Sequence, residues 1–383
     1  MIFAREELEK NEAQTLAPYG FKSRESQGRG YAEEEAPDRT AFERDRDRVL
    51  HTTAFRRLEY KTQVFVNFEG DYYRTRLTHT LEVAQIGRSL ARTLGANEDL
   101  IEAICLAHDL GHPPFGHSGE VILNSLIRDH GGFDHNKQSL RIVTKLERRY
   151  LDFRGLNLTW EVREGIVKHE TEYDISDAND YAPELRGNLE TQIANAADEL
   201  VYTAHDLDDG LRSGMVVAEQ LQGNDLWQDT RESIGWHAGA LDEITRHRLI
   251  RRLIGIKVHD LTAATSARIE ASGAGSPHEL QQLGHNVIGW SDEMSAKNRQ
   301  LKDFLYQNMY RHFRVVRMAE KAEKVITKLF EAYTSEPAQL PPSAQSQIEA
   351  RGLPRAICDY IAGMTDRYAL DEHAKLFDPQ TST

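Results

Sequence analysis

LAHDLGHPPFGHSGE, residues 106–120, decides how this chain is read. It closes an apolar run from Leu100 to Leu106 and sets His108 and Asp109 just before Gly111, Pro113 and Pro114, which stop the helix. An imidazole and a carboxylate side by side in such a setting are costly to bury unless hydrogen bonds or a cation compensate, and a divalent metal compensates both at once. Upstream, Leu77 to Leu94 has helical spacing, carries His79 and stops at Gly95; Asn97 then predicts an N-cap, with Glu98 and Asp99 in the first turn. Two neighbouring helices can bring His79, His108 and Asp109 together as ligands in a bundle core. Downstream, a helix is expected from Gly116 to about Asp129. On it His117 and Glu120 share a face, a carboxylate orienting an imidazole for proton transfer.

Further out, LETQIANAADELVYTAHDLDD (189–209) spaces Asp198, Tyr202 and Asp206 by four, with Asn195 extending the stripe. The spacing admits two readings. In one the stripe is a solvated face, and under either reading Glu199, His205, Asp208 and Asp209 are expected to supply some solvent-facing charge. In the other, small apolar neighbours (Ile193, Ala194, Ala197, Val201, Ala204) mark a packed position, with Asp198 a fourth metal ligand and Tyr202 and Asp206 in a polar pocket. Mixed nitrogen and oxygen donors suit Mg, Mn, Co, Fe or Zn. Arg76, just before His79, offers a planar fork for phosphate oxygens, whereas Arg74 reads as a surface ion pair. His112 and His135 add donors toward an anionic substrate. No GxxxxGK[ST] loop and no GxGxxG turn occurs, so phosphates would be held by side chains and metal.

The rest of the chain predicts an all-α fold, a helical bundle with peripheral helices. Helices are expected over 135–149, 159–170, 189–209, 240–271, 297–334 and 353–366. The best strand-like alternation, Thr62 to Phe68, predicts a short β-hairpin near 62–73. No repeat or long linker divides the chain, and 172–188 and 272–280 read as loops. The expected organisation is an arm over 1–40, a core with the metal site over 41–235, and a helical part over 236–383 packed on that core as one structural unit.

A net charge of −14 repels nucleic-acid backbones, which leaves the arginine-rich 39–57 segment as the one candidate for such contact, a secondary role at most. Cys105 and Cys358 are far apart in apolar helical contexts and read as buried free thiols. There is no apolar run of membrane-spanning length, and the acidic start MIFAREELEKNE lacks the pattern of a signal peptide. The expected address is the cytoplasm, with no membrane partner.

RTAFERDRDRVLHTTAFRRLEYKTQVF (39–65), RTRLTHTLEVAQIGRSLA (74–91) and LAHDLGHPPFGHSGE (106–120) together resemble the deoxyguanosinetriphosphate triphosphohydrolase family of HD-domain enzymes. The resemblance implies an HD-domain fold and hydrolysis of a dNTP to deoxynucleoside and inorganic tripolyphosphate. It implies His79, His108, Asp109 and Asp198 as metal ligands, His117 as the catalytic imidazole with Glu120 as its orienting carboxylate, and His135 as a second active-site histidine. Arg76 resembles the α-phosphate arginine, and Gln63 a glutamine of the sugar pocket. Tyr202 and Asp206 resemble the residues that read the sugar and its 3′-hydroxyl, with Tyr202 excluding a 2′-hydroxyl. Lys302, Tyr306 and Tyr310 are implied, more loosely, as phosphate or base contacts. The family also implies a homo-oligomer and, in some members, a dNTP activator. Two other readings stay open: an HD phosphohydrolase of nucleoside monophosphates or cyclic nucleotides, and a dNTP-binding regulatory oligomer without turnover.

Overall fold

The computed structural model describes residues 4–63, 74–169, 180–237 and 239–382. The regular elements among these residues are helices, and the few β-bridges are isolated, so the fold is all-α. The longer helices, in chain order, are α1 (Arg5–Thr15), α2 (Ala41–Leu50), α3 (Arg76–Leu94), α4 (Glu98–His108), α5 (Gly116–Leu126), α6 (His135–Arg141), α7 (Trp160–Val167) and α8 (Leu189–Arg212). They continue with α9 (Asp225–Ser233), α10 (Glu243–Ser272), α11 (Asp292–Leu305), α12 (Phe313–Ser335), α13 (Leu353–Ala362) and α14 (Asp366–Phe377). No helix among the described residues is long and apolar enough to cross a membrane.

Contacts divide the chain into two compact units. One comprises Met1–Val49, His79–Leu106 and Asn157–His312; the other comprises Leu50–Thr78, Ala107–Leu156 and Phe313–Thr383.

In the first unit, α8 packs between α7 and α10 and is buried on almost every side. Its start is set by Asn188, whose side chain accepts the Thr191 amide at 2.8 Å. Asn97 does the same for α4, accepting from Asp99 and Leu100 at 3.0 and 3.1 Å. The arginines of α2 are engaged by carboxylates: Arg44 by Glu33 and Glu35, Arg46 by Asp99, and Arg48 by Glu33. Arg29 meets the fully buried Asp45, which also accepts from the Thr159 amide at 2.8 Å. This network pairs the three arginines of α2 with carboxylates. Lys257 of α10 is buried against α8, where its ammonium donates to the Leu200 carbonyl (3.3 Å) and the Thr203 hydroxyl.

In the second unit, α5, α12, α13 and α14 enclose an apolar core that includes Phe115, Leu123, Ile326, Leu329, Ile357 and Ile361. The turn after His108 packs so tightly on α6 that a Cβ on Gly111 would stand 2.1 Å from the His135 carbonyl oxygen and 2.4 Å from the Ser139 nitrogen. Only glycine fits there.

The structure departs from the periodicity in identifiable places. α1 lies within the predicted arm. It buries none of its residues, so composition rather than an apolar stripe makes it helical. The expected helix 297–334 is broken by a π-turn at Tyr306–Tyr310, with α11 before it and α12 after it. Helix 135–149 likewise ends as α6 followed by a π-turn, Ile142–Leu146. Helix 353–366 stops at Ala362, and α14 starts anew with Thr365 capping Tyr368 at 3.2 Å. The expected hairpin falls mainly on residues outside the described ones; at its base Thr62 and Thr75 form an antiparallel bridge.

Two measurements test this packing. Gly111→Ala is expected to lower stability by about 3 kcal/mol in urea denaturation, because main chain rather than a mobile side chain must give way. Burial pushes the Lys257 ammonium down from the usual 10.5 to about 7. The unfolded chain then takes up a proton that the folded chain gives up, so the lysine's contribution to stability is full above pH 10.5 and lost as the pH falls toward 7. Lys257→Met should therefore gain on the parent between pH 10 and pH 7, and a constant gap would contradict this.

Candidate active site

The candidate residues fall into two groups, one in each unit. In the first unit, α3 and α8 bring His79 and Asp198 together, Nε2 to Oδ1 at 2.8 Å. His169, just beyond α7, approaches the other oxygen of Asp198 at 3.5 Å. His205 stands edge-on to His79 at 6.0 Å between ring centres and pairs with Glu82 at 3.0 Å. One turn along from Asp198, Tyr202 stacks on Tyr310, and the Tyr310 hydroxyl donates to Asp206. Burial and the neighbouring Asp206 carboxylate push the Tyr310 phenol well above its ordinary range, which keeps it a donor. Lys302 pairs with Glu199 at 2.7 Å. Tyr306 is exposed, and its hydroxyl accepts from Arg311 at 2.8 Å.

In the second unit, the helix stop gathers a denser set. Asp109 is buried, with Arg76 at 3.0 Å, His112 at 3.1 Å and His108 at 3.4 Å. Burial opposes its ionisation, but neighbouring His108, the Arg76 charge and the hydrogen bond with His112 hold it well below the usual carboxylate range. His112 lies flat on His135, ring centres 3.9 Å apart. Burial first, and then the Arg76 charge, keep the His112 imidazole well below its ordinary range, and so neutral near pH 7. Glu120 on α5 accepts from both the backbone amide (2.8 Å) and the Nδ1 (2.9 Å) of His135. His117 reaches the same carboxylate at 3.7 Å from a largely exposed position. Glu120 thus orients His135 first and His117 second. Although burial resists it, these imidazoles keep Glu120 ionised. Gln63 is half-buried at the edge of the described segment.

The periodicity of 189–209 misled in one respect. His205, Asp208 and Asp209, expected to face solvent, are all buried, and Asp208 pairs with Arg246. A helix enclosed on nearly every side has no solvated face, and one sequence does not display its neighbours. The same limit hid His169, an isolated histidine in sequence whose approach to Asp198 is purely tertiary.

The donors fit a divalent cation. In the first unit His79 is 1% exposed beside Asp198, and in the second His108 and Asp109 are 2% and 3% exposed, so each unit presents imidazole and carboxylate donors withdrawn from water, a mixture that Mg, Mn, Fe, Co and Zn accept in differing degrees. Glu120 is open to a separate check. Glu120→Ala leaves two buried donors of His135 without their acceptor and should cost about 1–3 kcal/mol in urea denaturation at pH 7.

Comparison with known proteins gives a consistent picture. Residues 76–203 match the HD domain, and residues 288–375 match the phosphohydrolase-associated domain. A deoxyguanosinetriphosphate triphosphohydrolase-like protein of Geobacter sulfurreducens is 52% identical over 367 residues, 95% of each chain. One from Deinococcus deserti is 50% identical over 386 residues, covering 100% of this chain and 99% of its own. A crystal structure of a hypothetical protein from Aquifex aeolicus aligns at 15% identity with a TM-score of 0.37 over 87% of this chain and 71% of its own, too remote to bear on the site. With half its residues identical to such relatives over nearly its whole length, the chain belongs to the deoxyguanosinetriphosphate triphosphohydrolase-like family of HD-domain proteins.

Proposed function

We propose that this chain is a metal-dependent hydrolase of deoxynucleoside triphosphates, dGTP or several dNTPs, that releases deoxynucleoside and inorganic tripolyphosphate. The observation that carries the reading is the buried assembly at the helix stop: Arg76 on Asp109, and His112 stacked on a His135 that Glu120 orients. Such a group offers guanidinium and imidazole N–H donors to a phosphate chain beside an ionised carboxylate.

His79, His108, Asp109 and Asp198 are the proposed metal ligands, and all four lie within the HD match at 76–203. A divalent cation bound by them supplies Lewis acidity toward an α-phosphate oxygen and toward water. The remaining work falls to the protein. Arg76, with His112 and His135, offsets charge that develops on the phosphate oxygens. His117, exposed on α5 and steadied by Glu120 at 3.7 Å, donates the proton to the departing sugar 5′-oxygen. Tyr202 and Asp206 are assigned the reading of the sugar and its 3′-hydroxyl, and Gln63 a sugar contact of its own. Tyr202 stacks on Tyr310 and the Tyr310 hydroxyl donates to Asp206, so one tyrosine holds both of these residues. Lys302, Tyr306 and Tyr310 serve as phosphate or base contacts. A homo-oligomer working in the cytoplasm, with a second dNTP as activator, completes the reading.

Two experiments test it. Purified protein is incubated with each dNTP, singly and in pairs, with Mg, Mn or Co, and the products are separated. Deoxynucleoside and tripolyphosphate are expected, whereas dNMP with pyrophosphate, or orthophosphate, would overturn the assignment. Chelation should abolish turnover and added divalent cation restore it. His117→Ala should lower kcat by roughly 10²–10⁴-fold while dNTP binding persists; an unchanged kcat would remove His117 from the proton transfer.

A further inference from the structure

Lys61 and Asp366 belong to none of the groups above, yet both are about 2% exposed in the second unit. The Lys61 ammonium donates to two main-chain carbonyls, those of His112 and of Ala362, the latter at 3.1 Å. Asp366, the first residue of α14, accepts through one oxygen from the Thr62 amide (2.9 Å) and the Thr62 hydroxyl. Through the other it accepts from the Phe115 amide at 2.8 Å. Residues 61–62 and 362–366 therefore grip both ends of the turn His112–Phe115.

That turn needs holding. Phe115 has φ of 64° and Gly116 follows at 59°, so two consecutive residues are left-handed and the first carries a bulky side chain. Gly111 is tied to Ser139 Oγ at 2.8 Å, and Ser139 Oγ in turn donates to the His108 carbonyl at 2.7 Å, which fixes the turn's start. Its far half depends on Asp366 and on the Phe115 ring in the apolar core. The turn sets His112 on one side, and α5 with His117 and Glu120 on the other. A buried ammonium is costly to desolvate, and a residue wanted only for packing would be apolar. Lys61 instead spends its donors on the main chain of His112 itself.

We propose that Lys61 and Asp366 are positioning residues, a buried clasp by which the C-terminal helices α13 and α14 set the turn and with it the reach of His112, His117 and Glu120. The inference assigns a task to the phosphohydrolase-associated stretch and rests on the proposed function for the meaning of that reach. It makes the C-terminal helices part of the catalytic apparatus without touching substrate.

The test uses the full chain as Lys61→Met, Asp366→Ala and Asp366→Asn, with Tyr333→Phe as control. The control loses a 3.1 Å bond to Glu372 elsewhere in the same unit. Folding is checked by cooperative thermal unfolding. In Lys61→Met and Asp366→Ala, kcat should fall by roughly ten- to hundredfold, with KM within about threefold. Asp366→Asn keeps one acceptor oxygen and should lose less, and Tyr333→Phe should leave kcat as in the parent. Independently of turnover, the His112 and His135 ring resonances of histidine-labelled protein should move in the clasp variants and stay in the control. Folded variants with the parent's kcat and unmoved resonances would overturn the clasp. Should the parent hydrolyse no dNTP, the functional reading fails, and the resonances still decide the clasp. Should Asp366→Ala not fold, Lys61→Met and Asp366→Asn carry the test.

Discussion

Asp109 is an ionised carboxylate with almost no access to water, and the second unit is arranged around satisfying it. Isolated burial of such a charge would be prohibitive, and the outcome would be protonation rather than folding. Arg76, His108 and His112 reverse that balance by crowding positive and polarisable groups onto its two oxygens. Each recruited side chain then constrains the next. His112 must lie where its Nε2 meets Asp109, its ring then stacks on His135, and His135 is turned by Glu120. A neutral, tightly placed imidazole beside an arginine follows from that chain of requirements.

Charge is handled similarly away from this cluster. The acidic chain uses its arginines internally: Arg29 and Arg48 also donate to the Asn157 carbonyl, at 2.8 and 3.0 Å, and so tie the N-terminal segments to the segment preceding α7. An arginine committed to buried carboxylates and carbonyls has little to offer a nucleic-acid backbone. Within the 39–57 concentration, Arg44, Arg46 and Arg48 are engaged in this network, whereas Arg56 and Arg57 are exposed.

The C-terminal helices contribute more than a cover. Arg141 of α6 pairs with Asp359 of α13 at 2.5 Å, and Arg57 donates to the Gly363 carbonyl at 2.7 Å. With Asp366 on the Phe115 amide, these polar bonds register α6, the turn and α13–α14 against one another more exactly than the apolar core alone could. Hydrophobic contact is non-directional, whereas each of these bonds has one geometry.

The amino-acid sequence alone determined the helical class, the cap at Asn97, the stop after Asp109, and the chemistry of the candidate residues, because these depend on local spacing and side-chain type. It also carried the family, through long motifs at 39–65, 74–91 and 106–120. Only the tertiary structure decided that Glu120 serves His135 more closely than His117, that His205 and Asp208 are enclosed, and that His169 approaches Asp198. It alone showed where 297–334 breaks, since no glycine or proline marks that point. The physical reason is common to all of these. Burial and hydrogen-bond direction are set by residues distant in the chain, and a periodicity records which face is apolar but not which neighbour arrives to cover it.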